Sequence, residues 1–176
     1  MASPLKHLTG DALHTYEPTD LDDMSPRQAA DAVTADIRDH PISADGTGLS
    51  NATRHIDLLC RLAARMAADA KYQLAPNITD LPPAETLGAS AGHVGRAIAH
   101  YTRTLAPLIT LTTTVRDTLQ QRLDSLDHHS RLRVHLDDAR RALAAVRTAL
   151  EVPRPTAAAS APAPAPLPAP AVRRRT

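Results

Sequence analysis

Apolar residues recur at alternating steps of three and four along most of residues 25–151, the period of a helix that buries one stripe, so the predicted fold class is all-α. The first such run is MSPRQAADAVTADIRDHP, where Ser25 precedes Pro26 and stands three residues before Gln28. This is a capping box with proline at the first helical position, where its missing N–H costs nothing. Ala30, Val33 and Ile37 mark a narrow face, and Pro41 stops the helix. Gly46 and Gly48 then supply turn freedom in the loop ISADGTG.

A second helix is predicted from Leu49 or Ser50 to about Leu74. Leu49, Ala52, Ile56, Leu59, Ala63, Met66 and Ala70 form its stripe, and Leu58 and Leu62 widen it. The segment APNITDLPP breaks the chain, and Pro83 with Glu85 opens the next helix.

From Leu87 through Ala91, Val94, Ile98, Tyr101, Leu105, Leu108, Thr112, Val115, Leu119 and Arg122 to Leu126 the same phase is kept without a break. Against it stand Pro107 and the five threonines Thr104, Thr110, Thr112, Thr113 and Thr114. An unsupported proline costs about 3 kcal/mol in a helix, and each threonine a few tenths. Each Leu or Val in a buried stripe contributes about 1.5–3 kcal/mol, so the expectation is one kinked helix over residues 84–126. Beyond it, Leu132, Leu136, Ala139, Leu143, Val146 and Leu150 are in phase with one another but join the earlier seam only through a three-residue skip at His129. The skip reads as a turn at DHHSR or as a stammer in a continuing coil, with the turn favoured. The expected architecture is an elongated antiparallel bundle in which a long central helix is flanked by shorter helices over 50–74 and 131–151.

The chain of 176 residues has no Phe or Trp and only Tyr16, Tyr72 and Tyr101, so its core must be aliphatic and thin. That favours burial gained by self-association or by a protein partner. Small residues at the start of the central helix, Gly88, Gly92 and Gly95 among them, would allow close backbone approach; unconstrained variation is the other reading.

Residues 1–45 carry three basic and nine acidic side chains, a net −6, whereas residues 46–176 carry a net +7. Residues 1–24 are therefore expected as a flexible acidic arm, residues 25–151 as the helical domain, and residues 152–176 as a disordered Pro/Ala-rich tail. The tail ends in Arg173, Arg174 and Arg175, a small cluster that could touch an anion or nucleic acid. No apolar run reaches the roughly 20 residues of a membrane helix. The N-terminus lacks the pattern of a signal peptide. With a single cysteine, a reducing, cytoplasmic setting is expected.

Candidate chemistry is sparse. His93 and His100 lie two turns apart, too far to share an ion unaided; His128 and His129 would point apart on a helix, although a turn there could bring them together. The charged clusters Asp124/Asp127/His128/Arg131 and Asp137/Asp138/Arg140/Arg141 have the spacing of surface ion pairs. Cys60 reads as a small buried hydrophobe. No catalytic, cofactor-binding or metal-ligating residue is therefore assigned, and no cofactor is expected.

The stretches GHVGRAIAHYTRTLAPL and LRVHLDDARRALAAVRTAL resemble the Ala/Arg/His-rich helical proteins of no assigned function found in Streptomyces-type actinobacteria. The resemblance covers residues 50–150 and implies a helical hairpin array, with no functional residue to carry over. The functional expectation is a non-enzymatic helical protein that works by protein contact. The alternative is a nucleic-acid-associated accessory factor using the basic body and the arginine-ended tail.

Overall fold

The computed structural model describes residues 13–74, 81–113 and 118–151, and these form an all-α bundle. A 3₁₀ turn, Pro18–Asp23, leads into α1 (Pro26–Asp39), α2 (Gly46–Gln73), α3 (Ala84–Thr113) and α4 (Leu119–Glu151). No described helix is long and apolar enough to cross a membrane.

The predicted capping box forms: Gln28 N–H donates to Ser25 Oγ, and Ser25 N–H donates to Gln28 Oε1. α2 starts three residues earlier than the apolar stripe suggests, because Asp45 caps it. Its Oδ1 accepts from Gly48 N–H at 2.8 Å and from the Ser43 hydroxyl at 2.7 Å. Gly48 is needed there for space, since a Cβ would fall 1.7 Å from the Ser43 carbonyl oxygen.

α3 passes through Pro107 as the unbroken phase predicts, and Pro107 is itself buried. The threonines are accommodated by bonding back to the helix: Thr110 donates to Ala106 O at 3.1 Å, and Thr112 and Thr113 both donate to Ile109 O. The expected extension to residue 126 is corrected, because the helix ends at Thr113. The turn expected at DHHSR is also corrected, since α4 runs unbroken through residues 128–131. Thr118 and Gln121 exchange a second capping box that starts α4, with bonds of 2.9 and 3.2 Å. The phase skip at His129 marks a change in which face of one helix is apolar.

α3 lies between α2 and α4 and packs along both, while α1 bridges α2 and α4. Pairing is antiparallel: Ala52 meets Leu108, His55 meets Tyr101, and Leu132 joins Leu108. The main core unites Leu58, Leu59, Leu62 and Met66 with Val94, Ala97 and Tyr101, and with Ala139, Leu143 and Val146. A smaller cluster of Ala52, Leu108, Leu111 and Leu132 closes the end where α2 begins, with Ile42 and Leu136 packed against both.

Part of the segment expected as a flexible arm is folded. Leu21 is fully buried in the main core, Asp22 pairs with Arg61, and Arg65 donates to the Met24 carbonyl. One leucine and two guanidinium anchors outweigh the acidic composition over residues 18–24. Of the two readings of Gly88, Gly92 and Gly95, close packing is set aside, because a Cβ on any of them would meet nothing within 4 Å; and Cys60, expected as a buried hydrophobe, is exposed. Residues 1–12 and the tail, with Arg173, Arg174 and Arg175, lie outside the described residues.

Candidate functional site

The hairpin of α3 and α4 brings together residues that are far apart in sequence. His100 faces His135 and Asp138, which stand three residues apart on one side of α4. One ligand atom from each lies within 4.8 Å of the others. His100 Nδ1 and Asp138 Oδ2 are 3.7 Å apart, beyond hydrogen-bond length, and the two imidazole centroids are 6.1 Å apart. Nδ1 of both rings is shielded from solvent and has no hydrogen-bond partner. Asp138 Oδ1 takes a charge-assisted bond from Arg141 at 2.5 Å, which leaves Oδ2 turned toward His100.

A third histidine, His55, is sealed in the core and meets the Tyr101 ring edge-on at 5.4 Å. Burial pushes its imidazole down to about 4, opposed by the Asp36 carboxylate and assisted by His40 and Arg54. The Tyr101 hydroxyl is pushed up to about 12 by burial, so both rings are neutral near pH 7. Neither has the exposure that general acid–base chemistry on a substrate requires.

A further feature is a surface. In the first turns of α4, half-buried Gln121, Ser125 and His128 lie on the side that continues to buried Leu132. Leu119, Leu123 and Leu126 are 74%, 52% and 66% exposed. At about 100° per residue, the two sets lie roughly 150° apart around the helix. The helix therefore turns its leucines outward and its polar side inward, the reverse of an ordinary surface helix. Arg122, Asp124, Asp127 and Arg131 flank the leucines, with Arg131 paired to Asp127 at 2.7 Å.

A groove of about 320 Å³ between α1 and α4 is lined by Ile37, Leu143 and Ala144 with Arg38, Arg140 and Arg147. All three guanidinium groups are already paired, to Asp39, Asp137 and Asp31.

The sequence reading assigned no site and missed the His100/His135/Asp138 cluster. The spacing of His135 and Asp138 was a visible signal, but His100 becomes their neighbour only when α3 and α4 pack against each other as an antiparallel pair. Comparison with protein-family models, with curated proteins and with solved structures finds no match to this chain.

Proposed function

We propose that this is a non-enzymatic helical protein that acts through protein contact, and that its contact is self-association through the first turns of α4. The observation that carries the reading is the outward stripe of Leu119, Leu123 and Leu126. Their spacing of four and three places them at d, a and d of a heptad, with Arg122 at g and Asp127 at e. In a parallel pairing of two copies, Arg122 of one lies beside Asp127 of the second, and the two-fold repeats that contact on the other flank. An antiparallel pairing sets Arg122 against Arg122. Charge therefore favours a second copy in parallel orientation.

Fully burying a leucine contributes about 1.5–3 kcal/mol, so six from two copies supply roughly 9–18. Association costs about 4–15 kcal/mol before any contact is made. The dimer is thus reversible and concentration-dependent. The non-enzymatic part of the reading is supported by the sealing of His55 and by the pairing of the groove arginines.

Sedimentation velocity of the full chain over rising concentrations tests the proposal, with a reversible dimer expected. Leu123→Glu should keep the helical circular dichroism and sediment as a monomer. In a Cys60→Ser background, Leu119→Cys and Leu126→Cys should each give a disulfide-linked dimer. A monomer at every concentration defeats the proposal, and salt-sensitive binding to duplex DNA by that monomer would favour the nucleic-acid alternative.

A further inference from the structure

We infer that His100, His135 and Asp138 form a binding site for a divalent transition-metal ion, of which Zn²⁺ is the expected occupant, and that the ion ties α3 to α4. The inference is independent of self-association, since the cluster lies within one chain and does not include the leucine stripe.

Two imidazoles and one carboxylate are the donor set of zinc and its first-row neighbours, whereas Ca²⁺ and Mg²⁺ prefer all-oxygen shells. Ligand atoms bound at about 2.0–2.2 Å to one zinc ion stand roughly 3.3–3.5 Å apart in a tetrahedron. The three donors here lie within 4.8 Å of one another, with His100 Nδ1 and Asp138 Oδ2 already at 3.7 Å. Closing onto an ion therefore needs side-chain adjustments of about 1 Å and no helix movement.

The cluster makes poor sense as a set of ordinary surface contacts. A stabilising histidine–aspartate pair would bring nitrogen and oxygen to about 2.7–3.0 Å, and this one stays open. An ordinary solvated histidine would give Nδ1 to water, yet both Nδ1 atoms are shielded and without a partner. A metal ion satisfies these nitrogens together. Asp138 is suited to this arrangement because its two oxygens have separate tasks: Oδ1 is held by Arg141, which fixes the carboxylate, and Oδ2 faces the gap. The Asp138 side chain is 31% exposed, so water can fill the fourth position.

The test uses the full chain, stripped of metal with a chelator and then exchanged into chelator-free buffer. Titration with Zn²⁺, followed by calorimetry, should show one equivalent bound, and Co²⁺ should give ligand-field bands at the same stoichiometry. Zn²⁺ should raise the thermal midpoint, as any ligand specific to the folded state does. His135→Asn and Asp138→Asn should each weaken binding at least tenfold and abolish that rise, while the double variant His128→Asn/His129→Asn should change neither. Imidazole nitrogen resonances of the unaltered chain give a readout that does not depend on a variant's folding, and two of the nine histidines should shift on saturation with Zn²⁺. Absence of binding at micromolar protein overturns the inference. So does binding that survives both single substitutions, or a shift confined to other histidines.

Discussion

Arg54 forks across Asp36, with Nε 3.2 Å from Oδ1 and Nη2 2.9 Å from Oδ2, and Asp36 is fully buried. The same Nη2 donates to the Tyr16 carbonyl at 2.6 Å, and Tyr16 N–H returns a bond of 2.8 Å to Asp36 Oδ2. One guanidinium thus ties α2, α1 and the segment before the 3₁₀ turn. Burial works against charging Asp36, but Arg54 and the Tyr16 amide outweigh it and hold the carboxyl below its ordinary value. Removing one partner of a buried pair leaves the other uncompensated, at a cost of about 3–5 kcal/mol. Arg54→Ala and Asp36→Ala should each lower the urea midpoint accordingly. Arg54→Lys should rescue little, because an ammonium cannot reproduce the fork. Faster proteolysis near Tyr16 in these variants would show that the segment is released. Unchanged midpoints would mean that the fork carries no stability.

The local rules that succeeded in the sequence were those whose signal lies within a few residues. Ser25–Pro26–Gln28 declared the start of α1, and the steady phase through Pro107 declared α3. Thr118 and Gln121 carry the same S/T-x-x-E/Q signature as Ser25 and Gln28, so the start of α4 was legible too. It was obscured because Leu119 and Leu126 continue the phase of α3. That continuation assumed both leucines were buried, whereas they face solvent. The misplaced hairpin then hid the metal cluster, because the partner of His100 depends on where the chain reverses. The Asp36–Arg54–Tyr16 tie spans 18 to 38 residues and leaves no local periodicity to read.

His55 gives a pH dependence whose sign follows from its burial. Its imidazole is pushed down to about 4 in the folded chain from 6.5, so between these values the unfolded chain binds the extra proton. Stability is therefore unaffected above about pH 6.5 and falls as the pH drops toward 4, by about 3 kcal/mol in total for this one group. Asp36, Asp39 and Asp45 are held below their ordinary value, Asp39 chiefly by the Arg38 bond, so their contribution is lost only at still lower pH. Urea midpoints measured from pH 8 to pH 4 should slope below 6.5, and His55→Leu should flatten that slope. A slope that persists in the variant would assign it to another group.

Gly48 of α2 and the glycines of α3 should respond oppositely to alanine. Gly48→Ala would drive a methyl group into the Ser43 backbone and loosen the Asp45 cap. Loss of such a cap costs about 1 kcal/mol before the clash is counted. Gly92→Ala and Gly95→Ala enter open space on a helix, where alanine is favoured by about 1 kcal/mol each. Thermal unfolding of the three single variants should rank Gly48→Ala below the parent and the other two above it. A destabilised Gly92→Ala would show that this face is packed after all.

A proline at position 129 distinguishes one helix from two. His129 is exposed within α4, so its substitution disturbs little except the backbone. Were DHHSR a turn, His129→Pro would be tolerated or even favourable. In a continuous helix the proline removes the bond to the Ser125 carbonyl and crowds that same oxygen, at about 3 kcal/mol. The existing Pro107 does not weaken the contrast, because α3 is packed between two neighbours at that point while α4 is half-solvated at His129. His129→Pro should lower the urea midpoint, reduce helical circular dichroism by the turns before it, and abolish self-association by unseating Leu119, Leu123 and Leu126. Zn²⁺ binding at His135 and Asp138, which lie beyond the break, should survive. Retention of full helicity would contradict the unbroken α4, and with it the common rigid frame of the leucine stripe and the metal cluster.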